Sequence, residues 1–134
     1  MQSARLLPAL LLFCCLCSGC DKEEAAPSRA ALLGSWQWKS SFCGWSGASS
    51  PATTGYTEVL LLDFSGRAQL YRNGTLQSNT AYTLSRHYSA LSQETADYIN
   101  FDNRELRYRI QNNTLTLSEE TADGCSSSYE RLNQ

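Results

Sequence analysis

From Leu33 onward the chain is a succession of short segments that alternate apolar and polar residues, each cut off by turn-forming residues. In "GSWQWKSSF", Trp36 and Trp38 alternate with Gln37 and Lys39, the period of two expected of a half-buried strand. "CGWSGASSPATTG" holds enough Gly, Ser, Pro and Thr for an irregular loop. "YTEVLLLDF" is the most apolar strand candidate and ends at Ser65-Gly66, and "RAQLYR" runs into Asn73-Gly74. Asn-Gly between two strand-like runs marks a hairpin, because both residues tolerate the positive φ of a type I′ turn. "TLQSNTAYTLSRHYS" follows, then "DYINF", a turn at Asp102-Asn103, "RELRYRIQ", a turn at Asn112-Asn113, and "TLTLS". A polar turn in "EETADGC" precedes a last short strand through Tyr129 and Leu132.

About eight short strands with no amphipathic helix predict an all-β domain. A meander of this kind removes its exposed edges best by closing into a small antiparallel up-and-down barrel. The alternative is a two-sheet β-sandwich. Within the meander, Tyr82 and Leu84 share one face, as do Leu106, Tyr108 and Ile110, and as do Leu115 and Leu117, which sets the expected interior.

The amino-terminal part has a different character. One positive charge, Arg5, precedes an apolar run over residues 6–16, below the ~20 residues a membrane-spanning helix needs. Residues 1–19 therefore have the layout of a cleaved export signal. Its ending, "CSGC", resembles the lipobox of bacterial lipoproteins, with Cys17 where leucine is usual, and implies that Cys20 is acylated; a plain export signal is the alternative. "DKEE" after Cys20 resembles the surface-export signal of Bacteroidota lipoproteins. Residues 20–31 are charged and alanine-rich and are expected to form a flexible tether, with the domain over 32–134. The expected location is thus the bacterial cell envelope, lipid-anchored in the outer membrane and exposed at the surface, with the membrane as partner through the N-terminal lipid.

Of the six cysteines, Cys14, Cys15 and Cys17 belong to the signal and Cys20 to the anchor. Cys43 and Cys125 remain, in an exported and oxidising setting, so one disulfide is the natural reading and two free buried thiols the alternative. In an up-and-down barrel the first and last strands are neighbours, which would bring the two cysteines together at one rim.

The opening "LLGSWQW" resembles the Gly-x-Trp signature of lipocalins, here Gly34 and Trp36. Residues 32–132 also resemble small lipocalin-like lipoproteins of bacteria through Tyr71 to Gly74, Tyr82 to Leu84, and Asp123-Gly124 with Tyr129 and Arg131. The resemblance implies that Trp36 plugs the closed end of the barrel with Arg131 packed across it, a contact worth ~0.5–2 kcal/mol. It implies binding of a small apolar ligand in the interior.

Other chemistry is poorly served. The single histidine, His87, has no paired serine or cysteine motif, so no enzyme is expected. Glu119, Glu120 and Asp123 lack the spaced ligands of a calcium loop, and no metal or cofactor is expected. A formal charge of −2 offers no pull toward nucleic acid. Arg107 and Arg109 share a face with Glu105, a mixed solvent-facing stripe. Trp38, Trp45, Tyr82 and Tyr108 are the candidates for contact with a ligand or partner, Trp45 foremost because it sits in a Gly/Ser-rich loop. Two functions follow: a binding module for a small apolar ligand, or an interaction or inhibitor protein that docks an envelope partner through loops 44–56 and 85–95.

Overall fold

The computed structural model describes residues 27–133; the expected signal (1–19), Cys20 and the tether up to residue 26 lie outside the described residues. Nine strand segments follow one another: β1 (Gly34–Cys43), β2 (Gly47–Ser49), β3 (Glu58–Leu62), β4 (Arg67–Arg72), β5 (Thr75–Ser89), β6 (Glu94–Phe101), β7 (Arg104–Gln111), β8 (Thr114–Ser118) and β9 (Cys125–Arg131). All pairings are antiparallel, and β9 returns to β1, with Trp36 opposite Arg131 and Cys43 opposite Cys125. Strand β1 together with β3–β9 closes an eight-stranded barrel, and the sandwich alternative is set aside.

The ninth segment is an addition to the eight barrel strands. The stretch 44–56 is not wholly irregular: β2 pairs with the far end of β1, Ser41 to Cys43. Pro51–Thr54 then forms one helical turn capped by Ser50, ending at Gly55 in the left-handed region. Pro at the first helical position and Gly after the last are the residues such a turn demands. A second adjustment lies at the domain edge. Arg29–Ala31, placed in the tether by composition, forms a 3-10 turn whose last carbonyl, that of Ala31, accepts from Arg131 of β9.

Turn chemistry fixes the hairpins. Asn73 and Gly74 have φ of 46° and 78°, the double positive of a type I′ turn. Asp102 and Asn112 also lie at positive φ, a region these side chains tolerate better than most. Directly opposed residues of antiparallel strands point to the same side, so the pairings assign the interior. Trp36 lies opposite Leu60, Leu60 opposite Leu70, and Leu115 opposite both Ile110 and Tyr129. Around Trp36 the core gathers Leu62, Tyr82, Ile99, Leu106 and Leu117, all with at most 7% exposure. Burying such side chains contributes ~1.5–3 kcal/mol each.

The up-and-down path gives the barrel two distinct ends. One holds the 3-10 turn, the β3–β4 turn and the last residue of β9, and is called the plug end below. The other, the mouth, holds the ends of β1 and β6 and the starts of β7 and β9. By connection 44–56 lies at the mouth and the β5–β6 turn at the opposite end, yet that turn reaches the β8–β9 loop, where Ser89 donates to Glu120 and Leu91 borders Glu119.

Candidate functional site

At the mouth a cavity of about 320 Å³ opens into the interior. Its walls are inward-facing side chains at the mouth-side ends of the strands: Leu60, Leu70, Phe101, Leu106, Leu117 and Tyr129. Ser78, Thr80, Asp102, Asn103 and Arg104 form a polar rim, and Ala68 adds to the apolar lining. The rim arginine is paired. Arg104 Nη2 lies 2.6 Å from Glu119 Oε1, and Glu119 Oε2 accepts the Cys125 N–H at 3.0 Å. The backbone hydrogen bond first, and the guanidinium second, hold the Glu119 carboxyl below its ordinary range, so it is ionised. Burial pushes the Tyr129 phenol up to about 12, leaving it a neutral hydroxyl. Apolar walls with the entrance arginine already paired suit a mainly apolar molecule, and the volume falls at the small end of ligand pockets.

The mouth is pinned by covalent and stacked contacts. Cys43 and Cys125 form a disulfide with their Cα atoms 4.1 Å apart, close to the narrow spacing of opposed antiparallel residues. Next to it, the Cβ that a side chain at Gly44 would carry meets Asp123 Cα at 3.0 Å, so the β1–β2 turn rests on the β8–β9 loop. Trp38 stacks on Tyr56 at 5.7 Å, and the Arg72 guanidinium lies 4.0 Å over Tyr56 while pairing with Glu58 at 2.7 Å. The stretch 44–56 is thereby folded against the wall near the mouth, with Trp45 left 78% exposed.

The plug end is closed by Trp36, which is fully buried and donates its indole N–H to the Leu32 carbonyl at 2.8 Å. The Arg131 guanidinium sits 4.1 Å over that ring and donates to the carbonyls of Leu33 and Ala31 at 2.7 and 2.6 Å. Gly34 makes room: its φ is 122°, and a Cβ there would lie 3.1 Å from Arg131 Nη1.

A polar cluster on the outer wall was not legible in the sequence. Tyr98, 1% exposed on the outward face of β6, donates to Glu120 Oε2 at 2.7 Å, and the buried Ser89 donates to Oε1 at 2.8 Å. Arg107 reaches the same carboxylate at 3.4 Å and also pairs with Glu94. Burial pushes the Glu120 carboxyl up, but the Tyr98, Ser89 and Arg107 hydrogen bonds outweigh it and hold it below the ordinary range. His87 covers Tyr98 by stacking at 3.8 Å and faces Glu105 at 3.1 Å. No serine or cysteine is bonded to that ring among the described residues.

The four aromatic candidates do not come together. Trp38 (3% exposed) is sealed beneath Tyr56 and donates its N–H to Ser41. Tyr82 is buried toward the plug end, where its hydroxyl donates to the Asp63 carbonyl and Arg29 lies over its ring. Tyr108 is buried in the wall, its phenol pushed by burial up to about 12, and borders a groove beside Pro27 and Ser28. None of these three, nor Trp45, lines the mouth cavity. The residues that do line it were visible as inward-facing by parity, but which strand ends meet at one height depends on strand tilt. Among the described residues no group of three His, Cys, Asp or Glu side chains converges where a metal ion could sit. In comparisons with known proteins, no family model matches the chain, and neither does any curated protein.

Proposed function

We propose that this protein is a lipid-anchored binding module of the bacterial cell envelope that holds a small, uncharged, mainly apolar molecule in the mouth of its barrel. The observation that carries the binding function is the 320 Å³ cavity, with its apolar and aromatic walls and a rim whose arginine is already paired with Glu119. A filled core would have favoured a purely structural or docking role. The anchoring part rests on the sequence, on the apolar run ending in Cys-Ser-Gly-Cys, which supports acylation at Cys20 and residence in the outer membrane. The lipocalin-like pattern of Gly34, Trp36 and Arg131 is in keeping with a closed plug end opposite an open mouth.

The experiment is extraction of the full-length protein purified from its native membranes, followed by mass spectrometry of what it releases. A stoichiometric apolar compound is expected. Its absence, together with no uptake of small neutral hydrophobes, ends the binding reading. A second reading, docking of an envelope protein, is favoured by one feature alone: Trp45 and Phe42 stand 78% and 61% exposed on the disulfide-clipped hairpin. Exposed aromatic anchors of this kind are typical of partner contacts. Crosslinking from position 45 that captures one partner, lost in Trp45→Ser, would support it.

A further inference from the structure

The cations of the barrel divide by location. Lys39, Arg72, Arg86, Arg104, Arg107 and Arg109 each have a carboxylate within 4.0 Å. Three described arginines make no such pair: Arg29, Arg67 and Arg131. All three lie at the plug end, on the 3-10 turn, the start of β4 and the end of β9. Arg29 is exposed over Tyr82, Arg67 bonds the neutral Asn79, and Arg131 serves backbone carbonyls. The neighbouring turn carries one carboxylate, Asp63, which accepts from Ser65 and the Arg67 N–H, and three arginines against it leave this end a positive excess.

Beside these arginines stands Phe64, 86% exposed in the β3–β4 turn, and Leu132, 38% exposed just past β9. That turn abuts the 3-10 turn, since a Cβ at Gly66 would lie 3.1 Å from Arg29 Nη1. The described chain also begins here, at Pro27, and Cys20 lies seven positions earlier. Seven residues reach at most about 25 Å when fully extended. A lipid on Cys20 would therefore hold the barrel close to the bilayer by this end, with the mouth directed away.

We propose that the plug end is a docking face for an anionic lipid surface, with Phe64 entering the headgroup region, Arg29 and Arg67 facing the lipid phosphates, and Arg131 adding its charge from behind them. It rests on the anchoring reading for its orientation, and on charge and exposure for its chemistry. A basic residue near an anionic membrane contributes about fivefold to partitioning, and this attraction weakens with salt. An acyl anchor benefits from such a second signal.

The test is hydroxyl-radical footprinting of the full-length mature protein on phosphatidylethanolamine–phosphatidylglycerol vesicles and on phosphatidylcholine vesicles. Phe64 oxidation is expected to slow severalfold on the anionic vesicles only, while Trp45, at the mouth, oxidises as in solution. High salt, or Arg29→Gln with Arg67→Gln, should abolish the protection; Arg29→Lys with Arg67→Lys should keep it. Equal Phe64 oxidation on both vesicles, or protection of Trp45 in its place, overturns the docking face. The anchor is judged separately, by the mass of the N-terminal peptide. An unacylated Cys20 ends the anchoring reading, while the footprint of protein mixed with vesicles still decides the face.

Discussion

Trp36 shows how one residue type organises one end of the barrel. Its ring is wholly buried, its N–H is satisfied by Leu32, and its face is covered by Arg131. Trp36→Ala removes all three contacts and leaves the Arg131 charge over a void. A loss of about 3–5 kcal/mol in urea unfolding is expected, the range for deleting a large buried aromatic; a loss under about 1 kcal/mol would contradict the plug. Glu120 makes a different test, by pH. Its carboxyl is held below the 4.5 of a free glutamate, so its contribution is fully present above that value and disappears as pH falls through the lower, folded one. Glu120→Gln is expected to cost about 1.5–3 kcal/mol at pH 7, as hydrogen bonds to a charged group do. The gap between variant and wild type should narrow steadily as pH falls below 4.5. A gap that does not narrow would mean that shape, and not charge, holds the cluster.

The strand boundaries were legible because local chemistry and the final fold agree. "RAQLYR", "RELRYRIQ" and "TLTLS" coincide with β4, β7 and β8, since Asn-Gly, Asp-Asn and Asn-Asn can adopt the turn geometry at no tertiary cost. Segment β2 escaped notice because Gly47–Ser49 carries no alternation of its own; pairing with the end of β1 makes it a strand. The Glu120 cluster escaped for a related reason. Tyr98 faces outward by parity and reads as exposed, yet Ser89, His87 and Glu120 arrive from other elements to cover it. At this scale the β1–β9 seam carries the prediction. The disulfide spans a sequence separation of 82 residues, and closing a loop of that length contributes about 4 kcal/mol in the chain-entropy model. Reduction, or Cys43→Ala with Cys125→Ala, should lower Tm by roughly 15 °C in calorimetry. Hydrogen exchange should rise first in the stretch 44–56, whose turn rests on the seam. Uniform exchange across the barrel would contradict that order.

At the scale of the whole molecule, a closed barrel with one plugged end opens a cavity into its interior at the mouth. Alternation along the strands exposed which side chains face inward, and so the apolar character of the interior. It could not show that a cavity survives there, because filling depends on strand tilt and on how far Phe101 and Tyr129 reach across. The central claim is that this cavity takes a small neutral hydrophobe. Its most direct measurement is fluorescence titration of the full-length mature protein with the neutral probe N-phenyl-1-naphthylamine, alongside Ser78→Trp. Ser78 lies exposed on the cavity rim, so an indole there should block the entrance without disturbing the core. The account predicts saturable one-to-one binding to the wild type and a loss of at least tenfold in affinity in Ser78→Trp, with an unchanged Tm. Equal binding by the two proteins, or none by either after extraction of any resident compound, would contradict it.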